Sequence, residues 1–258
     1  MVFLSIVIPC RNESASLPNL CPALEKVLKQ HLKNDWEVLL VDDASTDNTR
    51  TIIQSFAKKN KNFKPFHLEK QGGQTGAYQL AFSVAKGKYI LRMDGDFQDD
   101  PEDLPLFIEK MKQGYELIVG IRASRKHPRL LRFLTRVFDT LAVLLFDSPF
   151  HAASSSYIAF QSKYLKNLQL RKNDHRYLIC IALTRGVQRP AEVITRHRDR
   201  LGGKSKYNVF KKMFLGPWEF LLFAMRAKFG CYTPPPNPAP HPLNDQVKND
   251  QVDQVESP

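Results

Sequence analysis

Cysteine is scarce in this sequence: Cys10, Cys21, Cys180 and Cys231 are scattered through 258 residues, with no Cys-x-x-Cys pair. That spacing argues against a zinc site and implies a reducing compartment. Long apolar runs are missing too. No stretch approaches the roughly 18 residues that a membrane-spanning helix requires. The first residues lack a basic segment ahead of an apolar one, so that apolar run reads as a first strand, not as a leader. Acid is in short supply, with 26 Asp and Glu against 38 Lys and Arg and a net charge of +12. Such an excess points toward phosphate-rich partners: nucleotides, anionic lipid or nucleic acid. Finally, Gly72, Gly73 and Gly76 do not form the G-x-G-x-x-G signature of dinucleotide binding.

What is present is a globular composition, 43% hydrophobic and 25% charged, long enough for one large domain with a sizeable core. Buried strands are expected at Phe3–Pro9, at Trp36–Val41, more weakly at Phe63–Leu68, at Tyr89–Met93 and at Leu117–Gly120. Helices fall between them. The first runs to about Lys33, with Ser14 or Ser16 as cap and Pro18 in its first turn. The second is capped by Thr46 or Asp47 and runs through Ala57. The third opens at Gln71–Ala77 and reaches about Ala85, and a fourth starts at Pro101–Pro105. Strict alternation of strand and helix implies an α/β fold, a Rossmann-like, mostly parallel sheet with helices on both faces. Ligands of such sheets bind beyond the C-terminal strand ends.

Carboxylates gather at those ends. Glu13 follows the first strand, Asp42 and Asp43 end the second, and Asp94-Gly95-Asp96 ends the fourth. A lone Asp-x-Asp also occurs in solvated turns. Three acidic strand tips facing one crevice are harder to explain as surface. Asp94 and Asp96 offer hard oxygen donors suited to Mg²⁺ or Mn²⁺, Gln98 offers another, and substrate phosphates can fill the remaining positions.

In three stretches the sequence resembles a family 2 glycosyltransferase of the GT-A fold, a nucleotide-diphospho-sugar transferase architecture. They are Ser5-Ile6-Val7-Ile8-Pro9 with Asn12-Glu13, then Val41-Asp42-Asp43-x-Ser45-x-Asp47-x-Thr49, then Met93-Asp94-Gly95-Asp96-Phe97-Gln98-Asp99-x-Pro101. They span residues 3 to about 120. The resemblance implies that Pro9, Glu13 and Asp42 contact the base and ribose of a nucleotide sugar. It implies that Asp94, Asp96 and Gln98 hold the metal on its diphosphate.

The second half bears on the acceptor. Residues 122–136 hold Arg122, Arg125, Lys126, Arg129, Arg132 and Arg136 with no acid among them. Arg132 and Arg136 stand at i and i+4, on one face of a helix. These cations repel one another unless an anion sits among them. A helix over Val137–Phe146, a Ser-rich loop over Asp147–Tyr157 and a strand at Tyr157–Phe160 follow. His175-Arg176-Tyr177 and Arg196–Tyr207 extend the resemblance to the polyprenyl-phosphate subgroup, which includes dolichol-phosphate mannosyltransferases and bacterial undecaprenyl-phosphate relatives. By that resemblance Arg200, Ser205 and Lys206 face the donor diphosphate. Arg122, Arg132 and Arg136 are the choices for the acceptor phosphate, with Asp96 in the catalytic set. A phosphate acceptor is already an anionic nucleophile, so inversion by single displacement without a carboxylate base is expected. His175 and His197 read as packing or hydrogen-bonding residues, and Cys180 as core.

Relatives in that subgroup often carry C-terminal transmembrane helices. Here a catalytic domain over residues 1–208 is followed by an amphipathic helical segment, 209–231, kinked or split at Gly216-Pro217. Either it lies in a membrane interface or it packs on the domain. A hydrophobic partner subunit is another possible anchor. The expected location is the cytoplasm, peripheral on the inner face of the membrane. Residues 232–258 read as a Pro-rich, acidic, disordered tail. Two other readings stay open. One is a saccharide or protein hydroxyl acceptor, which needs a base such as Asp174. The other is a basic nucleic-acid-binding protein, which leaves the acidic tips without a role; no nucleic-acid partner is expected.

Overall fold

A computed structural model describes residues 2–122, 140–150, 155–198 and 209–233, apart from the side chains of 209–217. In chain order the elements are β1 (Leu4–Cys10), α1 (Leu17–Leu32), β2 (Trp36–Asp43), α2 (Thr49–Lys59), β3 (Phe63–Leu68), α3 (Gly73–Val84), β4 (Tyr89–Arg92), α4 (Leu104–Lys112) and β5 (Leu117–Arg122). There follow α5 (helical residues 140–146), β6 (Ile158–Gln161), α6 (Leu178–Thr184), β7 (Pro190–Thr195) and α7 (Val209–Lys228).

The seven strands form one sheet in the order β3-β2-β1-β4-β6-β5-β7. β1 pairs parallel with β2 and β4, β2 with β3, and β5 with β7. β6 runs antiparallel between β4 and β5. One reversed strand therefore leaves β1, β2, β4 and β5 all ending at the same edge of the sheet. That common edge is what collects the acidic tips.

Side chains alternate across the sheet as the two-residue strand period requires. Val7, Leu39, Val41, Ile90, Val119 and Phe160 face a core shared with α3, α5, α6 and α7. Leu4, Ile6, Ile8, Val38, Leu40 and Leu91 face a second core under α1, α2 and α4. α1 shows the matching helical spacing: Leu17, Leu20, Leu24, Val27 and Leu28 are all buried. Burying each such side chain contributes about 1.5–3 kcal/mol. Three cysteines are buried and Cys231 is exposed; all four are free thiols, and burial pushes Cys21 up to about 12.

Local expectations are corrected in detail. Ser16 sits at the N-cap of α1 but makes no capping bond, because its hydroxyl is used elsewhere. Asp47 does receive the Thr49 N–H, at 3.0 Å, while Asn48 occupies the cap position and α2 continues to Lys59. α7 is one continuous helix through Gly216-Pro217, so the expected split there does not occur. Proline removes a single N–H donor, and the helix carries on across it. Tyr232, read as the start of the tail, is buried beside Phe223 with ring centroids 5.4 Å apart. Only part of the helix expected at Val137–Phe146 lies within the described residues.

Two buried contacts at the opposite edge fix the register. Ser5 Oγ donates to Glu37 Oε1 at 2.6 Å, and the Lys86 and Gly87 N–H groups close the network at 2.7 and 2.8 Å. A Cβ on Gly87 would stand 2.5 Å from the Ser5 nitrogen, so only glycine fits there. Nearby, Glu116 ties the start of β7 to β6. Burial raises its pKa, but the Lys163 ammonium at 2.7 Å and the Gln188 and Arg189 N–H groups outweigh that and bring it down to about 2. A carboxyl depressed from 4.5 stabilises the fold above pH 4.5 and loses that contribution as pH falls toward 2. Glu116→Gln will therefore lower the melting temperature at pH 7 and flatten its fall between about pH 4.5 and 2. Thermal melts across that window check this.

Candidate functional site

The crevice at the C-terminal edge is built first by lacing the β1–α1 and β2–α2 loops together. Asn12, with φ 56°, donates its N–H to Ser45 Oγ at 3.0 Å and receives the Thr46 N–H at 2.9 Å. Ser14 N–H reaches Asp47 Oδ2 at 3.3 Å, and Glu13 N–H reaches Thr49 Oγ1 at 2.8 Å. Ser45, Asp47 and Thr49, spaced by two, thus all serve the neighbouring loop. Their place in the sequence motif is explained by scaffolding of Glu13, with no need for ligand contact.

The β4 tip then docks on this pair. Ser16 Oγ donates to the Gly95 carbonyl at 2.7 Å and lies 3.0 Å from Glu13 Oε2. A Cβ at Gly95 would stand 3.1 Å from the Pro9 carbonyl and 3.5 Å from Glu13 Cγ. Pro9 and Glu13 therefore line the space beside Gly95 that a side chain would fill. Ser16 carried no functional mark in the sequence, and its spacing suggested a helix cap.

Asp42 and Asp43 part ways. Asp42 Oδ1 receives the Ser45 N–H at 3.1 Å, and Oδ2 lies 3.5 Å from His67 Nδ1. Burial and Arg50 depress the His67 pKa, against the pull of Asp42. Asp43 turns to the N-terminus of α3, where its Oδ1 accepts the Gly72 and Gly73 N–H groups at 2.7 and 3.0 Å. Its position fits the helix dipole.

After Asp96 the chain takes a left-handed residue, Phe97, at φ 62°. A bulky residue there costs of order 1–3 kcal/mol, the kind of strain concentrated at binding sites. It lets Asp96 Oδ1 accept the Gln98 N–H at 3.1 Å, in a tight acidic turn. Asp96 is buried, and Arg198 stacks over the Phe97 ring at 4.7 Å. The segment entering residues 199–208 runs alongside: Asp99 bridges His197, Arg198 N–H donates to the Gln98 carbonyl at 2.9 Å, and Gln98 Nε2 lies 3.3 Å from His197 Nε2.

The donor set suits a hard divalent cation in part. Among the described residues no cluster of three or more His, Cys, Asp or Glu side chains could enclose a metal. Two carboxylates on a two-residue turn, with an amide beside them, match Mg²⁺ or Mn²⁺, which keeps waters and takes substrate phosphates as its other ligands.

Two sequence readings change. Arg122 was counted among cations without an acidic companion, but Asp99 Oδ1 faces it at 3.8 Å across the fold. Asp99 is buried, and burial together with the Asp94 charge, against Arg122, pushes its carboxyl up to about 7. Arg196 and Arg198, from the Arg196–Tyr207 stretch, are likewise matched by Asp103 and Asp100 at 2.9 and 2.8 Å. Charge counted along the chain misses partners a hundred residues away. Asp174, the candidate base, is fully buried at 0% exposure. It receives Arg226 Nη2 at 3.0 Å, the Tyr232 hydroxyl at 2.8 Å and the Arg171 N–H at 2.8 Å. No face of it is left for a substrate. His175 packs as expected, with Nδ1 2.8 Å from Thr75 Oγ1 and its carbonyl accepting Arg92 Nη1 at 2.6 Å. Arg132, Arg136, Arg200, Ser205 and Lys206 lie outside the described residues.

Known proteins carry the same sequence pattern and fold. An undecaprenyl-phosphate 4-deoxy-4-formamido-L-arabinose transferase of Pseudomonas savastanoi is 29% identical over 210 residues, 80% of this chain and 61% of that protein. The protein of that name from Shewanella sediminis is 28% identical over 218 residues, 82% of this chain and 65% of that one. The chain thus spans about three fifths of the length of such relatives. Among solved structures, glucosyl-3-phosphoglycerate synthase of Mycobacterium tuberculosis with Mn²⁺, uridine diphosphate and phosphoglyceric acid superposes with a TM-score of 0.64. It covers 91% of this chain and 80% of that one at 16% identity. Staphylococcus aureus TarS with UDP-GlcNAc gives 0.61, covering 87% and 67% at 18% identity. The fold is that of the GT-A glycosyltransferases. The family description "Glycosyl transferase family 2" matches residues 5–191, nearly three quarters of the sequence, and the chain belongs to that family.

Proposed function

We propose that this protein is a metal-dependent, inverting glycosyltransferase that moves a sugar from a UDP- or GDP-linked donor to a polyprenyl phosphate. The observation that carries this reading is the shared edge of the sheet. It brings Pro9, Glu13, Asp42, Asp94 and Asp96 to one side of β4, and sets the Arg122 guanidinium at the tip of β5 on the other. Pro9, Glu13 and Asp42 take the nucleoside, while Asp94, Asp96 and Gln98 hold Mg²⁺ or Mn²⁺. When bound, that cation stabilises the charge growing on the departing diphosphate. Arg200, Ser205 and Lys206 close over the same diphosphate. Arg122, Arg132 and Arg136 hold the acceptor phosphate, bringing an anion beside an anionic donor without repulsion. The relatives' names and the metal and uridine nucleotides in the similar structures support this reading.

A hydroxyl acceptor would need a carboxylate base. The burial of Asp174 removes the candidate that the sequence offered. The test is a transfer assay with labelled UDP- and GDP-sugars, Mn²⁺ or Mg²⁺, and a short polyprenyl phosphate. Metal-dependent movement of label into the organic phase is expected. Donor hydrolysis without lipid product would move the acceptor to a hydroxyl, and a product retaining the donor anomer would overturn inversion.

We also propose peripheral attachment to the cytoplasmic face of a membrane. Among the described residues no helix is long and apolar enough to cross one. α7 buries Phe220, Phe223 and Ala227, yet exposes Trp218, Leu221, Leu222, Met225 and Phe229 along a second stripe. α5 packs on it through Phe146, 5.4 Å from Phe223, and adds exposed Leu141, Val143, Leu144 and Leu145. Exposed apolar side chains on two helices packed together support an interaction surface here. The aromatic ends and the nearby Lys228 suit an interface with anionic lipid. Vesicles containing anionic lipid should carry the protein in flotation. Trp218→Ser with Leu144→Ser should abolish that, and unchanged flotation would refute this surface.

A further inference from the structure

The Asp99 carboxylate is absorbed neither by the nucleotide contacts nor by the metal turn. It is 3% exposed and lies where three elements meet. The antiparallel pairing of β5 with β6, continued by the Gly120 N–H to Tyr157 carbonyl bond at 2.8 Å, carries Ser156 alongside Arg122. Ser156 Oγ lies 3.2 Å from Asp99 Oδ2, and Arg122 Nη2 lies 3.3 Å from Ser156 Oγ and 3.8 Å from Asp99 Oδ1. Hydroxyl, carboxylate and one edge of the guanidinium therefore form a closed triangle. The Arg122 side chain keeps 29% of its surface exposed at the strand tip.

A free arginine carries about 2 kcal/mol of rotamer entropy, which binding must remove. Held by one edge, a guanidinium offers its other N–H groups in a fixed fork, the geometry that phosphate oxygens accept in pairs. We propose that Asp99 and Ser156 are positioning residues that aim Arg122 at the anionic group of the acceptor. The proposal rests on the reading of the acceptor as a lipid phosphate. Neither residue touches the acceptor. Their effect is on where one cation points, so it belongs to acceptor binding and leaves donor binding alone.

Ser156→Ala is the leading test, since it removes the hydroxyl and keeps both charged partners, Asp99 and Arg122, in place. Initial rates with wild type, Ser156→Ala, Ser156→Thr and Asp99→Asn are measured against polyprenyl phosphate and, separately, against donor. The acceptor KM of Ser156→Ala should rise about tenfold, the scale of one hydrogen bond to a charged group. Its donor KM, metal requirement and melting temperature should stay as in the wild type, and Ser156→Thr should restore the acceptor KM. Asp99→Asn should raise acceptor KM at least as much. An acceptor KM within twofold of wild type in Ser156→Ala, or an equal rise in donor KM, overturns the positioning role. Lipid product from the wild type separates the two failures: its absence overturns the acceptor reading, and the proposal with it.

Discussion

Asp96→Ala will abolish sugar transfer, with a loss of about 10³-fold or more in kcat/KM, while the protein stays folded. The magnitude follows from what the carboxylate can do. A single preorganised group acting on developing charge contributes about 10²–10³-fold, and a metal ligand acts on the whole diphosphate. The fold tolerates the change because the turn in which Asp96 accepts the Gln98 N–H is also held by Ser16 at Gly95 and by Arg198 at Gln98. Removing the carboxylate also removes negative charge from beside Asp94 and Asp99, so the melting temperature should change little. Two measurements check this: Mn²⁺ binding to the protein without donor, and transfer with saturating metal. Gln98→Ala is the graded comparison. It should raise the metal concentration needed and spare most of kcat, because an amide oxygen contributes less than a charged ligand. An Asp96→Ala variant that binds Mn²⁺ normally and transfers sugar within tenfold of wild type would remove the Asp-x-Asp from the metal site.

The contrast between Asp96 and its neighbours shows how far a sequence can be read. Alternating strand and helix patterns over residues 3–120 led directly to the sheet, because each buried strand is an uninterrupted apolar run closed by a polar turn. The acidic tips were visible because parallel strands must end together. Less visible was which tip carboxylate faces the ligand. Asp42 and Asp43 are adjacent and both acidic, yet one accepts the Ser45 N–H and faces His67 while the other receives two N–H groups of α3. Nothing in their spacing separates them. The alternation of faces along β2 does, once the sheet is closed.

Arg122 and Asp99 illustrate the opposite failure. Local charge density made residues 122–136 look like an unneutralised cluster, and Asp99 looked like an appendage of the metal motif. β6 inserts antiparallel between β4 and β5 and brings Ser156 to both residues. That insertion depends on topology, so the sequence around residues 99–122 does not reveal it. The apolar C-terminal helix was legible in composition but not in orientation. α7 has two apolar stripes, and the choice between packing and exposure was false, since Phe220 and Phe223 pack while Trp218 and Phe229 stand in solvent at 60% and 83% exposure.

Asp174→Ala will destabilise the fold by about 3 kcal/mol, the low end of the cost of breaking a buried ion pair, because the carboxylate is fully buried while the Arg226 side chain keeps 24% exposure. Three donors converge on this carboxylate: Arg226 from α7, the Tyr232 hydroxyl beyond it, and the Arg171 N–H. Alanine would strand the Arg226 guanidinium and the Tyr232 hydroxyl against the core, and domains of this kind have only about 5–15 kcal/mol in total. Release of α7 should precede global unfolding, seen as early loss of hydrogen-exchange protection over residues 209–233. Asp174→Asn separates structure from chemistry. The amide oxygen can keep both Tyr232 and Arg171, which share Asp174 Oδ2, while its NH2 replaces the oxygen that accepted from Arg226, so that hydrogen bond is lost with the charge. The substitution should lower the melting temperature by several degrees and keep turnover within about threefold of wild type in the folded range. A catalytic base would behave in reverse, with the melting curve hardly moved and turnover gone. The geometry favours the first outcome, because a carboxylate at 0% exposure with three donors already on it is out of reach of an incoming hydroxyl. That outcome would favour the proposed acceptor, a phosphate that arrives already charged and needs no base, beside Arg122 at the tip of β5.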